Sequence, residues 1–89
     1  MNLTIIHRYF GLTEQQMKKL TFQHAAILWF IYQRGSITPM DAFYHLGITK
    51  LATRISEMKA LGIQFCQVYE SRPNEAGKKV HFMRYRKAA

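Results

Sequence analysis

The chain has 89 residues, and 48% of them are hydrophobic, which excludes an intrinsically disordered protein and predicts one globular domain with one core. A core of this size leaves no room for a large enclosed active site. Thirteen Lys and Arg residues against five Asp and Glu give a net charge of +8. This charge predicts attraction to polyanions, above all nucleic acid, although a basic surface that serves only solubility is the alternative.

The sequence predicts neither a membrane span nor a secretory leader. Its longest apolar run, AAILWFIY at residues 25–32, is far shorter than the about 20 residues that cross a bilayer. The initial MNLTIIHRYFGL lacks a basic region followed by a long apolar core. Cys66 is the single cysteine, so no intrachain disulfide is available, and a reducing compartment fits. We therefore expect a cytoplasmic protein.

Residues 1–20 are expected to be an N-terminal arm or a short extra element before a domain at residues 21–89. The apolar stretch LTIIHRYF fits either a short strand or an arm, and Gly11 interrupts it. Thr13 is a cap residue, and the following EQQMKKL places a Gln at the third helical position. That spacing predicts one or two helical turns.

The segment FQHAAILWFIYQRG, residues 22–35, predicts the first core helix. Thr21 can cap its beginning, and Gly35 can adopt the left-handed conformation that ends a helix.

This helix has two apolar sides, so it is buried on both sides or contacts a partner. One side consists of Ile27, Leu28 and Ile31, and the other of Ala25, Trp29 and Tyr32. We expect the N-terminal side chains to cover the second side, and a homodimer through Trp29 and Tyr32 is the other prediction. The covering residues would be Ile5, Ile6, Tyr9 and Phe10.

The stretch SITPMDAFYHLGITK, residues 36–50, predicts a second, short helix and a sharp turn. Thr38 is its cap, Pro39 occupies the first helical position, and Asp41 stands where a capping box needs it. Gly47 ends the helix. The inward-pointing residues are expected to be Ala42, Phe43 and Leu46.

A third helix, KLATRISEMKAL at residues 50–61, is expected to begin after the cap residue Thr49 and to end at Gly62. Its apolar residues recur at helical spacing and predict a buried stripe. They are Leu51, Ile55, Met58 and Leu61.

After Gly62 the apolar period changes to two, which predicts the strands IQFCQVYE and KVHFMRYRK. The polar loop SRPNEAGKK between them has nine residues and makes a β-hairpin. The predicted fold is therefore mainly α with a C-terminal β-hairpin. This order of elements is that of a winged helix-turn-helix, with three core helices and a two-stranded wing.

The outer side of the third helix carries the candidate DNA contacts Thr49, Lys50, Thr53 and Arg54, near a helix N-terminus that favours phosphate. Arg54 has a second interpretation, in which it pairs with Glu57 three residues later. In the wing, the candidate contacts with the DNA backbone are Arg72, Lys78 and Lys79.

The sequence predicts no enzyme, no cofactor and no metal site. The four histidines are scattered without ligand spacing, and no glycine-rich phosphate loop is present. Cys66 lies in a predicted strand, where a buried structural thiol is expected rather than a nucleophile. Binding to single strands or RNA would need exposed aromatic residues on the hairpin, for which Tyr69 and Tyr85 are the candidates.

Residues 35–63 resemble a family of small helix-turn-helix domains common in phages and prophages. The shared pattern is Gly-Ser-Ile-Thr-Pro before the second helix, an apolar residue and Gly at the turn, and then Leu-x-x-Arg-Ile. The RYR at residues 84–86 also resembles the end of that pattern. The matching residues are Gly35, Ile37, Thr38, Pro39, Leu46, Gly47, Leu51, Arg54, Ile55, Met58 and Gly62.

The resemblance implies a winged helix-turn-helix fold and double-stranded DNA binding, in a regulator of transcription or recombination. Two features depart from related patterns. Gly47 follows the inward Ala42 by five residues instead of the four of bacterial repressors, and Trp29 and Tyr32 replace a polar outer face. The alternative function is a phage-type interaction module that binds an acidic surface of a host protein.

Overall fold

The structure, a computed structural model, describes residues 1–88, in which five helices precede a two-stranded antiparallel hairpin. The predicted fold class, a mainly helical winged helix-turn-helix with a C-terminal wing, is confirmed. The elements are α1 (Leu3–Phe10), α2 (Glu14–Lys19), α3 (Phe22–Arg34), α4 (Pro39–Leu46), α5 (Leu51–Ala60), β1 (Phe65–Pro73) and β2 (Lys79–Lys87).

Three helices begin with the predicted threonine caps. The hydroxyls of Thr13, Thr21 and Thr38 each accept a hydrogen bond from the backbone N–H three residues later. In each case the side chain at that later position accepts from the N–H of the threonine, so two otherwise unpaired donors are satisfied at once. The reciprocal acceptors are Gln16, His24 and Asp41.

Residues 3–10 form α1, which is neither of the two alternatives, strand or arm, that the sequence suggested. The Asn2 side chain caps this helix by accepting from the N–H of Ile5 at 3.1 Å. Ile6 is fully buried, and the ring of Tyr9 packs edge-on against Tyr32 of α3, with centroids 4.9 Å apart. Packing against α3 overrides the strand preference of the β-branched residues, and α1 covers the second apolar side of α3 as expected.

The expected cap at Thr49 is wrong. Helix α5 begins one residue later, with Lys50 at the N-cap and no side-chain cap bond. The turn after Gly47 explains the shift, because the N–H of Ile48 donates back to the carbonyl of Ala42 at 3.0 Å and Ile48 is buried. This bond holds the chain against α4 and places Thr49 in an exposed bend.

Phe43 does not point inward as predicted, since it is 57% exposed. Helix α4 is only eight residues long, and one side of it meets the other helices. Ala42 fills that side and is fully buried, while Leu46 packs against the core from its edge.

The core lies where α3 crosses α5, and a short backbone bridge joins the hairpin to it. Ile37 and Tyr85 exchange two backbone hydrogen bonds of 2.9 Å, so Ile37, just before the cap of α4, forms an isolated bridge to β2. Tyr85 is 5% exposed and enters the core, which contradicts its candidacy as an exposed stacking residue. Buried core residues of the two helices include Ile27, Leu28, Ile31, Ile55 and Met58.

The hairpin is longer, and its loop shorter, than the sequence predicted. Strand pairing continues to Pro73 opposite Lys79, which leaves residues 74–78 as the loop. The Asn74 side chain explains the tight turn, because it accepts from the N–H groups of Ala76 and Lys78 at 3.0 Å each. Cys66 is exposed on β1, so the expectation of a buried thiol is wrong.

Candidate nucleic-acid interface

Three of the candidate contacts lie together at the beginning of α5. Thr49 and Lys50 immediately precede the helix, and Thr53 is in its first turn. All three side chains are exposed. The buried Leu51 and Ile55 fix this helix on the core and thereby turn Thr53 outward.

Helix α5 differs from the other helices of residues 1–88 at its N-terminus. A side chain caps each of α1 to α4, whereas none caps α5. The first backbone bond of the helix runs from the N–H of Arg54 to the carbonyl of Lys50 at 3.2 Å. The N–H groups of the first turn therefore keep their partial positive charge beside the ammonium of Lys50, an arrangement suited to an anion such as phosphate.

Arg54 pairs with Glu57, one of the two roles that the sequence left open. The Nε atom of Arg54 lies 3.2 Å from Oε1 of Glu57, without the alignment of a hydrogen bond. The Arg54 side chain is 28% exposed, so part of the guanidinium still reaches solvent. The same carboxylate oxygen of Glu57 is 2.8 Å from Nε2 of His24.

His24 thereby connects α3 to α5. Its Nδ1 accepts from the N–H of Thr21 at 3.1 Å, so the neutral ring carries its proton on Nε2 and donates it to Glu57. His24 is 4% exposed and cannot move without disturbing the cap of α3. The chain of contacts holds Glu57, and through it Arg54, in place. Sequence reasoning missed this link, because its two ends are 33 residues apart.

The wing carries the other three candidates near its tip. Arg72 pairs with Val80 in the ladder, Lys79 pairs with Pro73, and Lys78 lies in the loop. All three are exposed, and the Arg72 side chain is 68% accessible. The tip therefore presents three cations to solvent.

Two other basic residues of β2 take part in the structure itself. Nε of Arg84 donates to Oε2 of Glu70 at 2.5 Å. Nη1 of the same guanidinium donates to Oγ of Ser36 at 2.9 Å. The hydrogen bond from Arg84 lowers the pKa of the Glu70 carboxyl, and the same bond raises the pKa of Arg84. The ammonium of Lys87 lies 5.4 Å from the centre of the Tyr9 ring.

Residues 1–88 contain no group of three His, Cys, Asp or Glu side chains close enough to hold a metal ion. In the same part of the chain, no helix is both long and apolar enough to cross a membrane.

Comparison with known proteins identifies the fold family. The family model described as "Winged helix-turn-helix domain" matches residues 22–85, which run from α3 to the core tyrosine of β2 and make up well over half of the chain. The match includes α5, β1 and the part of β2 that runs to Tyr85. No curated protein and no solved structure matches the chain significantly. The chain belongs to the winged helix-turn-helix domain family.

Proposed function

We propose that this protein binds double-stranded DNA, with the N-terminal end of α5 in the major groove. Domains of this family typically bind DNA, and the net charge of +8 favours a polyanion. The observation that carries the proposal is the exposed, uncapped and basic beginning of α5. Lys50, Thr53 and the exposed part of Arg54 are the proposed contacts there, and Thr49 lies beside them.

The wing would hold the DNA backbone. Arg72, Lys78 and Lys79 lie at or near the tip, where flexible cations suit phosphate contacts or a narrow minor groove. Such contacts fix the position of a protein on the duplex and carry no sequence information directly. Sequence selectivity would therefore come from α5.

The test is a titration of the protein with a duplex at two salt concentrations. Binding should weaken as salt rises, and Lys50→Ala combined with Arg54→Ala should lower affinity by about tenfold or more, as expected for two lost charged contacts. The matched control is Lys18→Ala combined with Lys19→Ala, which removes the same charge from the exposed end of α2 and should cost less. No binding at low salt would overturn the proposal in favour of the module that binds a host protein.

The biological role that we propose, a phage or prophage regulator of transcription or recombination in the host cytoplasm or nucleoid, is supported by the sequence resemblance of residues 35–63. A homodimer through Trp29 and Tyr32 would add paired half-sites to the target. Tyr9 packs on this aromatic face, and Tyr32 remains 38% exposed. Selection from random duplexes tests both ideas, since a dimer should enrich a two-fold symmetric motif and a monomer a single asymmetric one.

A further inference from the structure

Helix α4 exposes a row of large apolar side chains. Met40, Phe43 and Tyr44 are 63%, 57% and 75% exposed. Their spacing of i, i+3 and i+4 places them on one side of the helix, away from the buried Ala42. Single exposed apolar residues are ordinary, but a contiguous row of them marks an interaction site.

This row continues into a groove between the first turn of α4 and the hairpin. The groove has a volume of about 570 Å³ and is open to solvent along its length. Its apolar walls are formed by Pro39, Met40, Pro73, Val80 and Phe82. Met40 belongs to both surfaces, so the exposed row and the groove form one apolar surface.

The groove lining carries two arginines, Arg72 and Arg84, against one aspartate, Asp41, and the whole chain has a net charge of +8, which favours an acidic partner. The carboxylate of Asp41 is held in the cap of α4, where it accepts from the N–H of Thr38 at 3.1 Å. Arg84 is neutralised by Glu70. Arg72 forms a longer ion pair with Glu70, at 4.0 Å, and its side chain is 68% exposed. Its guanidinium stands 6.0 Å from the centre of the Phe82 ring. A cation thus stands over the apolar wall at one end of the groove.

We propose that this surface binds an acidic amphipathic segment of a partner protein. Apolar side chains of that segment would fill the groove and pack on Phe43 and Tyr44, while one of its carboxylates would pair with Arg72. Duplex DNA presents anions but no apolar side chains for the groove. A second copy of this chain that docked through the same groove would bring two Arg72 groups close together. This docking surface is separate from the beginning of α5, although it shares Arg72 with the proposed DNA contacts of the wing. It does not depend on DNA binding.

The probe is a labelled synthetic peptide of about 18 residues, roughly five helical turns, with Leu and Phe at i, i+3, i+4 and i+7 and Glu elsewhere. Fluorescence anisotropy measures its affinity, and backbone amide NMR shifts locate it. The expected shifts cluster on residues 39–44, on residue 72 and on residues 79–82. Met40→Gln combined with Phe43→Gln should weaken binding by about tenfold or more, because two apolar anchors are lost.

Four controls accompany this experiment. Phe22→Gln removes an apolar side chain that is 77% exposed and lies outside the groove, and it should leave peptide affinity unchanged. A peptide of the same composition with dispersed Leu and Phe should bind much more weakly, as should one with Lys in place of Glu. The Met40→Gln, Phe43→Gln variant should keep its wild-type DNA affinity, so this inference and the DNA proposal fail separately.

Four results would overturn the inference. They are equal binding of the dispersed or the lysine peptide, wild-type peptide affinity of the double variant, amide shifts outside the groove, and loss of DNA affinity in that variant. Analytical ultracentrifugation tests whether a second copy of this chain occupies the groove. A dimer of the wild-type protein that the double variant abolishes would assign the groove to a second copy instead.

Discussion

The buried histidine of α3 shows how one residue serves two elements. His24 completes the cap of its own helix through Nδ1 and holds Glu57 of α5 through Nε2. The third helical position of a capping box is usually Glu or Gln and not His. In addition, the partner of His24, Glu57, is distant in the sequence. The pairing of Arg54 with Glu57, one of the two roles that the sequence left open, could be foreseen because the two residues are three apart. The contact of His24 with Glu57, which holds that pair in place, forms only when α3 and α5 pack together.

We expect Glu57→Gln to strengthen DNA binding a few-fold. The amide oxygen of Gln still accepts from His24, while the negative charge beside Arg54 is lost and the guanidinium is freed for phosphate. Because exposed ion pairs contribute about 1 kcal/mol or less, the free energy of unfolding should change little. Duplex titration and thermal unfolding measure the two quantities.

The matched control for this prediction is Glu14→Gln, which removes an exposed charge from the first turn of α2. It should alter DNA affinity less than Glu57→Gln does. Weaker DNA binding by Glu57→Gln would contradict the prediction and would mean that Arg54 needs its carboxylate partner to reach DNA.

At the scale of elements, the two threonines that bracket α4 have opposite roles. Thr38 is buried and completes a capping box, whereas Thr49 lies exposed in a bend and caps nothing. We expect Thr38→Ala to lower the free energy of unfolding by about 1 kcal/mol, the usual cost of a lost cap. Thr49→Ala should change it by less than about 0.5 kcal/mol. Chemical denaturation compares the two, and equal losses would contradict the observed start of α5.

Local chemistry explains which elements the sequence predicted well. Caps and turn glycines act over three or four residues, so Thr13, Thr21, Pro39 and Gly47 were legible in the sequence. The structure of residues 3–10 was not, because their β-branched residues locally favour a strand, whereas in the fold they form a helix that packs on α3. The inward side of the short α4 also depended on its neighbours, which is why Phe43 was misplaced.

On the scale of the whole molecule, α1 belongs to the same core as the family domain. Ile6 is fully buried and Leu12 is 7% exposed, and both join the cluster around α3. We expect Ile6→Ala to destabilise the fold by about 2–4 kcal/mol, because it leaves a cavity in that cluster. The exposed Leu3 of the same helix supplies the control, and Leu3→Ala should cost far less.

The proposed division at residue 20 can be tested in the same way. A chain of residues 21–89 would lack the cover of the second apolar side of α3 and should unfold at lower denaturant concentration than residues 1–89, or aggregate. Equal stability of the two chains, measured by circular dichroism, would show that the winged helix-turn-helix domain is complete without α1 and α2.

The uncapped beginning of α5 has a consequence for how this protein can change over generations. Asp, Asn or Ser at position 50 would each be a better N-cap than Lys and should favour the helix by up to about 1 kcal/mol. Each would also remove the ammonium proposed to meet DNA. Selection for stability therefore favours a capping residue at position 50, whereas selection for DNA binding favours Lys. Under laboratory evolution for heat resistance alone, Lys50 should be among the first residues replaced.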